Sequence, residues 1–189
     1  TADSSQSTGV KWAAASGGGG GGGGGLVLVD SGTFSAASAV NLPGGVFDST
    51  YDDYRLILLS VNASGSGGYE NSFRMRVSGS DNTASVYSCS GVYHGGASGH
   101  KTTAGQTAWN NIYDGSGAGD YSRHVLDIIN PALADWTTIS GHRIYTYGGT
   151  HYGATVTGVH AASTAFDAMS FISSSGTITG RWALYGYAK

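Results

Sequence analysis

Short runs of alternating apolar and polar residues, each closed by Gly, Asn or Asp, recur along most of this chain and leave it few folds to choose from. In Phe73-Arg74-Met75-Arg76-Val77 the apolar side chains fall on one face of an extended strand and both arginines on the other. In the last run Trp182 and Leu184 share a face, opposite Tyr185 and Tyr187. Strands are expected at Leu26–Asp30, Gly32–Asn41, Tyr54–Asn62 and Asn71–Ser78. Others follow at Ser85–Tyr93, Thr107–Tyr113, Tyr121–Ile129, Trp136–Tyr147, Ala154–Ala161, Ala168–Ser173 and Thr177–Ala188. The clusters Asn62 to Gly68, Gly95 to Gly99 and Asp114 to Gly119 are expected turns. Twelve Tyr, five Phe and four Trp suit pleated strands, while Leu, Lys, Glu and Gln, which suit helices, are thin. These patterns predict an all-β chain folded as an antiparallel β-sandwich of jelly-roll type.

Composition divides the chain in three. Thr1 to Ser16 is small and polar, with Trp12 its one aromatic, and Gly17 to Gly25 is an unbroken glycine run. Leu26 to Lys189 carries the alternating patterns and is long enough for one core. The glycine run contains a dinucleotide-type spacing, but a strand-like Leu26-Val27-Leu28-Val29 follows it where that motif needs a helix. It is expected to be a flexible linker. The alternative is an ordered run in which three copies pack along a trimer axis, as only glycine could.

Nine Lys and Arg against 12 Asp and Glu give a net charge of −3, so the basic stripe of a nucleic-acid binder is missing. No apolar run approaches the roughly 20 residues of a membrane helix, and no membrane insertion is expected. Cys89, the single cysteine, has no disulfide partner and is expected to be a small buried residue. The sequon Asn62-Ala63-Ser64 carries no weight without a secretory context.

The motifs of catalysis are missing from the sequence as well. It has no G-x-S-x-G elbow, no H-E-x-x-H and no EF-hand loop, so no catalytic residue, metal ligand or cofactor site can be named. Asp52 and Asp53 are adjacent and so point to opposite sides of a strand, which suits a turn or capping role better than shared acid–base chemistry. The chain is expected not to be an enzyme. A glycan depolymerase using two scattered carboxylates is the alternative from that class.

The most irregular stretch, Tyr93 to Gly119, gathers Tyr93, His94, His100, Trp109 and Tyr113 among small polar residues. Amphipathic aromatics in such company suit an adaptable contact surface, and their rings also stack on sugars, so these five are the candidate ligand-binding residues. The other reading has Trp109 and Tyr113 completing the core. His151, beside Tyr152 and flanked by glycines, could meet its copies on a trimer axis.

Thr-Ala-Asp-Ser-Ser-Gln-Ser-Thr-Gly-Val-Lys-Trp-Ala-Ala-Ala, residues 1 to 15, resembles the close of a repeat module of phage virion appendage proteins, G-x-V-L-T-A-D-S-x-x-A-T-G-V-K-W-A. The match begins mid-motif, so further residues are expected upstream. Ser175-Gly176-Thr177-Ile178-Thr179-Gly180, the closing Leu184-Tyr185-Gly186-Tyr187, and Tyr51 to Leu56 resemble the terminal β-domain of the same family, the tail fibres and head fibres of tailed phages, including marine and cyanobacterial ones. The resemblance implies a virion surface protein, a trimeric tail-fibre tip that meets other virion proteins and a host surface glycan or protein. It transfers no catalytic residue. A capsid decoration or head-fibre protein, or a fibril-forming subunit, are the alternatives.

Overall fold

The computed structural model describes residues 25–64, 69–95, 99–114 and 119–189. The appendage-like segment at 1–16 and glycines 17–24 lie outside them. Among the described residues the strands are β1 (Leu26–Ala37), β2 (Ala39–Asn41), β3 (Asp53–Ser64), β4 (Tyr69–Val77), β5 (Ser80–Asp81), β6 (Tyr87–His94) and β7 (Gly99–Gln106). They continue as β8 (Trp109–Asp114), β9 (Tyr121–Ile129), β10 (Thr137–Tyr147), β11 (Thr150–His160), β12 (Ala168–Ser173) and β13 (Thr177–Tyr187). All their pairings are antiparallel.

Eight strands form one sheet in the order β1-β13-β3-β9-β10-β11-β6-β7. A smaller sheet, β2-β12-β4 with β5 and β8 both along the free edge of β4, packs over one face of it. Alternation decides what lies between them. Phe73 and Met75 of β4 and Met169 and Phe171 of β12 meet Tyr54, Leu56 and Leu58 of β3, Leu126 and Ile128 of β9, and Trp182 and Leu184 of β13, all buried. The fold is thus the antiparallel β-sandwich that the patterns predict.

The tight turns follow from backbone chemistry. Tyr147 pairs with Thr150 across Gly148 and Gly149, both at positive φ (56° and 80°). That is the two-residue hairpin turn whose twist matches the strands, and glycine enters it without strain. Ser78 and Gly79 turn β4 into β5 in the same way, with φ of 51° and 79°. Asp81 then anchors β5: it accepts from Ser170 Oγ at 3.0 Å and pairs with Arg76.

Two local expectations are corrected and a third holds. Leu26–Asp30 and Gly32–Asn41 are not divided at Ser31. β1 runs through to Ala37 with register shifts between Leu28 and Asp30 and between Phe34 and Ala37, the second holding Ala36 at φ 47°, and the break before β2 comes at Ser38. Residues 99–106, expected to be irregular, form the edge strand β7. Its Lys101 and Thr103 stand where a core strand would carry apolar residues, so no apolar alternation marks it. Asp52 and Asp53 do diverge: Asp52 pairs with Lys189 at 2.9 Å, and Asp53 accepts the Asn130 N–H at 3.2 Å.

Candidate functional site

The small sheet covers one face of the eight-stranded sheet, and no other described element covers the opposite, open face. Its side chains come from the positions between the core residues, and the strand registers set them in cross-strand rows. One row crosses Tyr185, Arg55 and Asp127 on β13, β3 and β9. It continues through Ser140, Thr157, Ser90 and Thr102 on β10, β11, β6 and β7. The next row runs from Ala183, Ile57 and Val125 through His142 and Thr155 to Val92 and His100. A third sets Arg181, Leu59 and Arg123 beside Ile144, Gly153 and His94.

The face is aliphatic in its middle and polar at its ends. Ile57, Val92, Val125 and Ile144 are all exposed, Ile144 by 54%. Toward β7 the small side chains Ser88, Ser90, Thr102, Thr138, Ser140 and Thr157 leave a groove of about 480 Å³. A second groove of about 280 Å³ lies over β13, β3 and β9, between Arg123 and Arg181. Apolar floor with a few polar groups on its rim is the general make-up of a ligand-contacting surface.

A charged cluster stiffens the β3–β9 ladder. Arg55 donates from Nε to Asp127 Oδ1 at 2.8 Å and from Nη2 to Oδ2 at 2.9 Å. Tyr187 adds a hydroxyl donor to the same Oδ1 at 2.6 Å. The Arg55 hydrogen bonds hold the Asp127 carboxyl below its ordinary range and push the guanidinium up. Burial, followed by its bond to Asp127, pushes the Tyr187 phenol up.

The five residues expected to form the contact surface are scattered. His94 and His100 lie exposed on the open face, at the ends of β6 and β7. Tyr93 turns to the opposite face, toward Tyr145, whose phenol is pushed up chiefly by burial and whose ring stacks on Tyr152 with centroids 5.0 Å apart. Trp109 is fully buried; its indole N–H donates to the Val159 carbonyl at 3.1 Å and its ring packs edge-on to Tyr87. It completes the core and offers no surface to a ligand. Tyr113 stands on β8, paired with Glu70 of β4. His151 sits in β11 beside Tyr121, whose hydroxyl is 3.0 Å from its Nδ1.

Among the described Phe, Tyr and Trp side chains the most exposed is Trp136, 58% accessible in the β9–β10 connection, with Leu133 exposed nearby. The alternation puts Trp136 at the start of a strand, whereas β10 begins one residue later, at Thr137. Its neighbours Asn130-Pro131 and Asp135 mark the connection, the only sequence signal that could have singled it out. Among the described residues no three of His, Cys, Asp and Glu gather as a metal site. No described helix is long and apolar enough to cross a membrane.

No protein-family model matches the chain. No curated protein matches it either. Among solved structures it is similar to the Caenorhabditis elegans galectin LEC-6, at 14% identity and a TM-score of 0.37, over 86% of this chain and 100% of that one. It is also similar to the CBM2 module of the evolved Dit of Lactobacillus casei BL23 phage J-1, at 10% identity and a TM-score of 0.27, over 80% of this chain and 69% of that one. Likeness at this level carries no function across.

Proposed function

We propose that the chain is a non-enzymatic adhesion and structural module of a virion surface appendage, and that it meets a host surface glycan or protein with the open face of its eight-stranded sheet. The observation that carries this is the face itself: exposed Ile57, Val92, Val125 and Ile144 beside a groove of about 480 Å³ between small Ser and Thr side chains. Exposed aliphatic side chains rimmed by polar ones mark surfaces that dock a ligand or partner. The likeness of residues 1–15 to a phage appendage module gives the setting, a tail-fibre tip or head fibre. Assembly is as a homotrimer, with the exposed Leu26, Val27 and Leu28 at the β1 edge as the contact between copies.

Binding of the labelled full chain to a panel of bacterial cells tests the face, with Thr157→Trp to fill the groove. Wild-type binding that Thr157→Trp abolishes, with the thermal transition unmoved, is the expected result; binding by neither protein overturns it. Light scattering tests the assembly. A monomer would remove the trimeric tip and favour a decoration protein held by its neighbours on a capsid.

A further inference from the structure

Two arginines on the open face have no acidic partner among the described residues. Arg181 on β13 and Arg123 on β9 flank Leu59 in one cross-strand row, with Cα atoms about 10 Å apart by ordinary strand spacing. Arg55 is paired with Asp127, and Arg74 and Arg76 with Asp81. Among the described residues neither Arg123 nor Arg181 has a carboxylate within ion-pair distance. In a chain of net charge −3, that is a local surplus of positive charge. Arg123 is also steadied, its Cζ lying 5.7 Å from the centroid of the Tyr121 ring. The groove of about 280 Å³ between the two arginines has Ile57, Leu59, Val125 and Ala183 as its floor.

We propose that this groove binds an acidic saccharide, with a carboxylate or sulfate held between Arg123 and Arg181 and the C–H face of a sugar ring laid on Ile57 and Val125. The proposal rests on the open face being the contact surface and gives that surface a ligand class. The guanidinium fork matches a carboxylate or sulfate in shape as well as charge. A pyranose ring carries C–H bonds on one face and hydroxyls at its rim, which suits a small aliphatic floor with polar edges. An extended peptide binds by adding a strand to an open edge, and β13, β3 and β9 are paired on both sides. Nucleic acid would need many phosphate contacts along a basic stripe, where this groove offers two charges.

Calorimetric titration of the full chain with galacturonate oligomers and with chondroitin sulfate oligosaccharides tests it, with maltooligosaccharides as the neutral control. Saturable binding of at least one acidic saccharide is expected, weaker at higher salt, with the neutral oligomers bound more weakly. Arg123→Gln/Arg181→Gln should lower that affinity by about tenfold or more with the thermal transition unmoved, and Arg123→Lys/Arg181→Lys should restore part of it. The proposal is overturned if neither acidic saccharide binds, or if binding ignores the Gln substitutions. It is equally overturned if polyglutamate or phosphatidylglycerol vesicles bind as well as the saccharides. If the arginine variants change nothing while Thr157→Trp still abolishes cell binding, the contact face stands and the acidic site falls. If wild-type protein binds neither saccharides nor cells, both fall.

Discussion

The Arg55 guanidinium grips the Asp127 carboxylate through two parallel hydrogen bonds, Nε–Oδ1 at 2.8 Å and Nη2–Oδ2 at 2.9 Å, directly across the β3–β9 ladder. The pair is partly exposed, so solvent screens it, but bidentate geometry places it at the stronger end of such pairs. Arg55→Ala should cost about 1 kcal/mol at neutral pH. Because the folded state holds the Asp127 carboxyl below its ordinary range, the contribution is present above the unfolded carboxyl's pKa, about 3.9, and is lost as pH falls through the lower folded value. Asp127→Asn should therefore flatten the loss of stability below about pH 4. Urea midpoints at pH 7 and pH 3 decide it, and an unchanged acid slope would leave the pair without thermodynamic consequence.

Two tryptophans should behave in opposite ways. Trp109 is fully buried against Tyr87, so Trp109→Ala should cost about 3–5 kcal/mol, a large share of a domain's stability. Trp136 is 58% exposed, and Trp136→Ala should stay within about 0.5 kcal/mol. Denaturant unfolding of both variants distinguishes core from surface directly. Equal effects would contradict the packing described.

How much of this was legible beforehand depends on the range of the interaction. Alternation is local, and it placed β9 at Tyr121–Ile129 and β12 at Ala168–Ser173 to the residue. The two faces of β4 and β13 were legible for the same reason. Coverage is not local: whether Trp109 or Trp136 is buried depends on where the small sheet ends over the large one, and nothing beside either residue states that. The Arg55–Asp127 pair joins residues 72 positions apart, and the row of Arg181, Leu59 and Arg123 exists only once β13, β3 and β9 are neighbours. An edge strand such as β7, with no apolar face to show, left no periodic signal at all.

Gly158 is held open by the Trp109 ring. A Cβ there would stand 2.8 Å from both Cδ1 and Nε1 of Trp109, closer than real Cβ atoms come, and a tight 3.0 Å from Ile139 Cγ1. Gly158→Ala should cost about 1–3 kcal/mol, because two well-packed side chains must shift. Gly153, five residues earlier on the same strand, has nothing within 4 Å of a Cβ, and Gly153→Ala should be close to neutral. Thermal melting of the two variants side by side checks it; a stable Gly158→Ala protein would mean the Trp109 pocket is looser than its contacts imply.

His160 gives acid sensitivity in a second pH window. Its ring is fully buried between the edges of Tyr87, at 4.5 Å, and Phe166, at 4.8 Å, and burial lowers its pKa by disfavouring the imidazolium. The unfolded chain therefore binds a proton that the folded chain refuses once pH falls below about 6.5, and stability must drop with it. Asp127 acts only below about pH 4, so the two groups separate on the pH axis. His160→Phe keeps an aromatic ring between Tyr87 and Phe166 but cannot titrate. It should remove part of the slope that sets in below about pH 6.5, while Asp127→Asn should leave the slope between about pH 6.5 and 4 intact. Urea midpoints from pH 8 to pH 3 for wild type and the two variants make the comparison. A wild-type curve parallel to that of His160→Phe above pH 5 would show that the buried imidazole is protonated as readily in the fold as outside it.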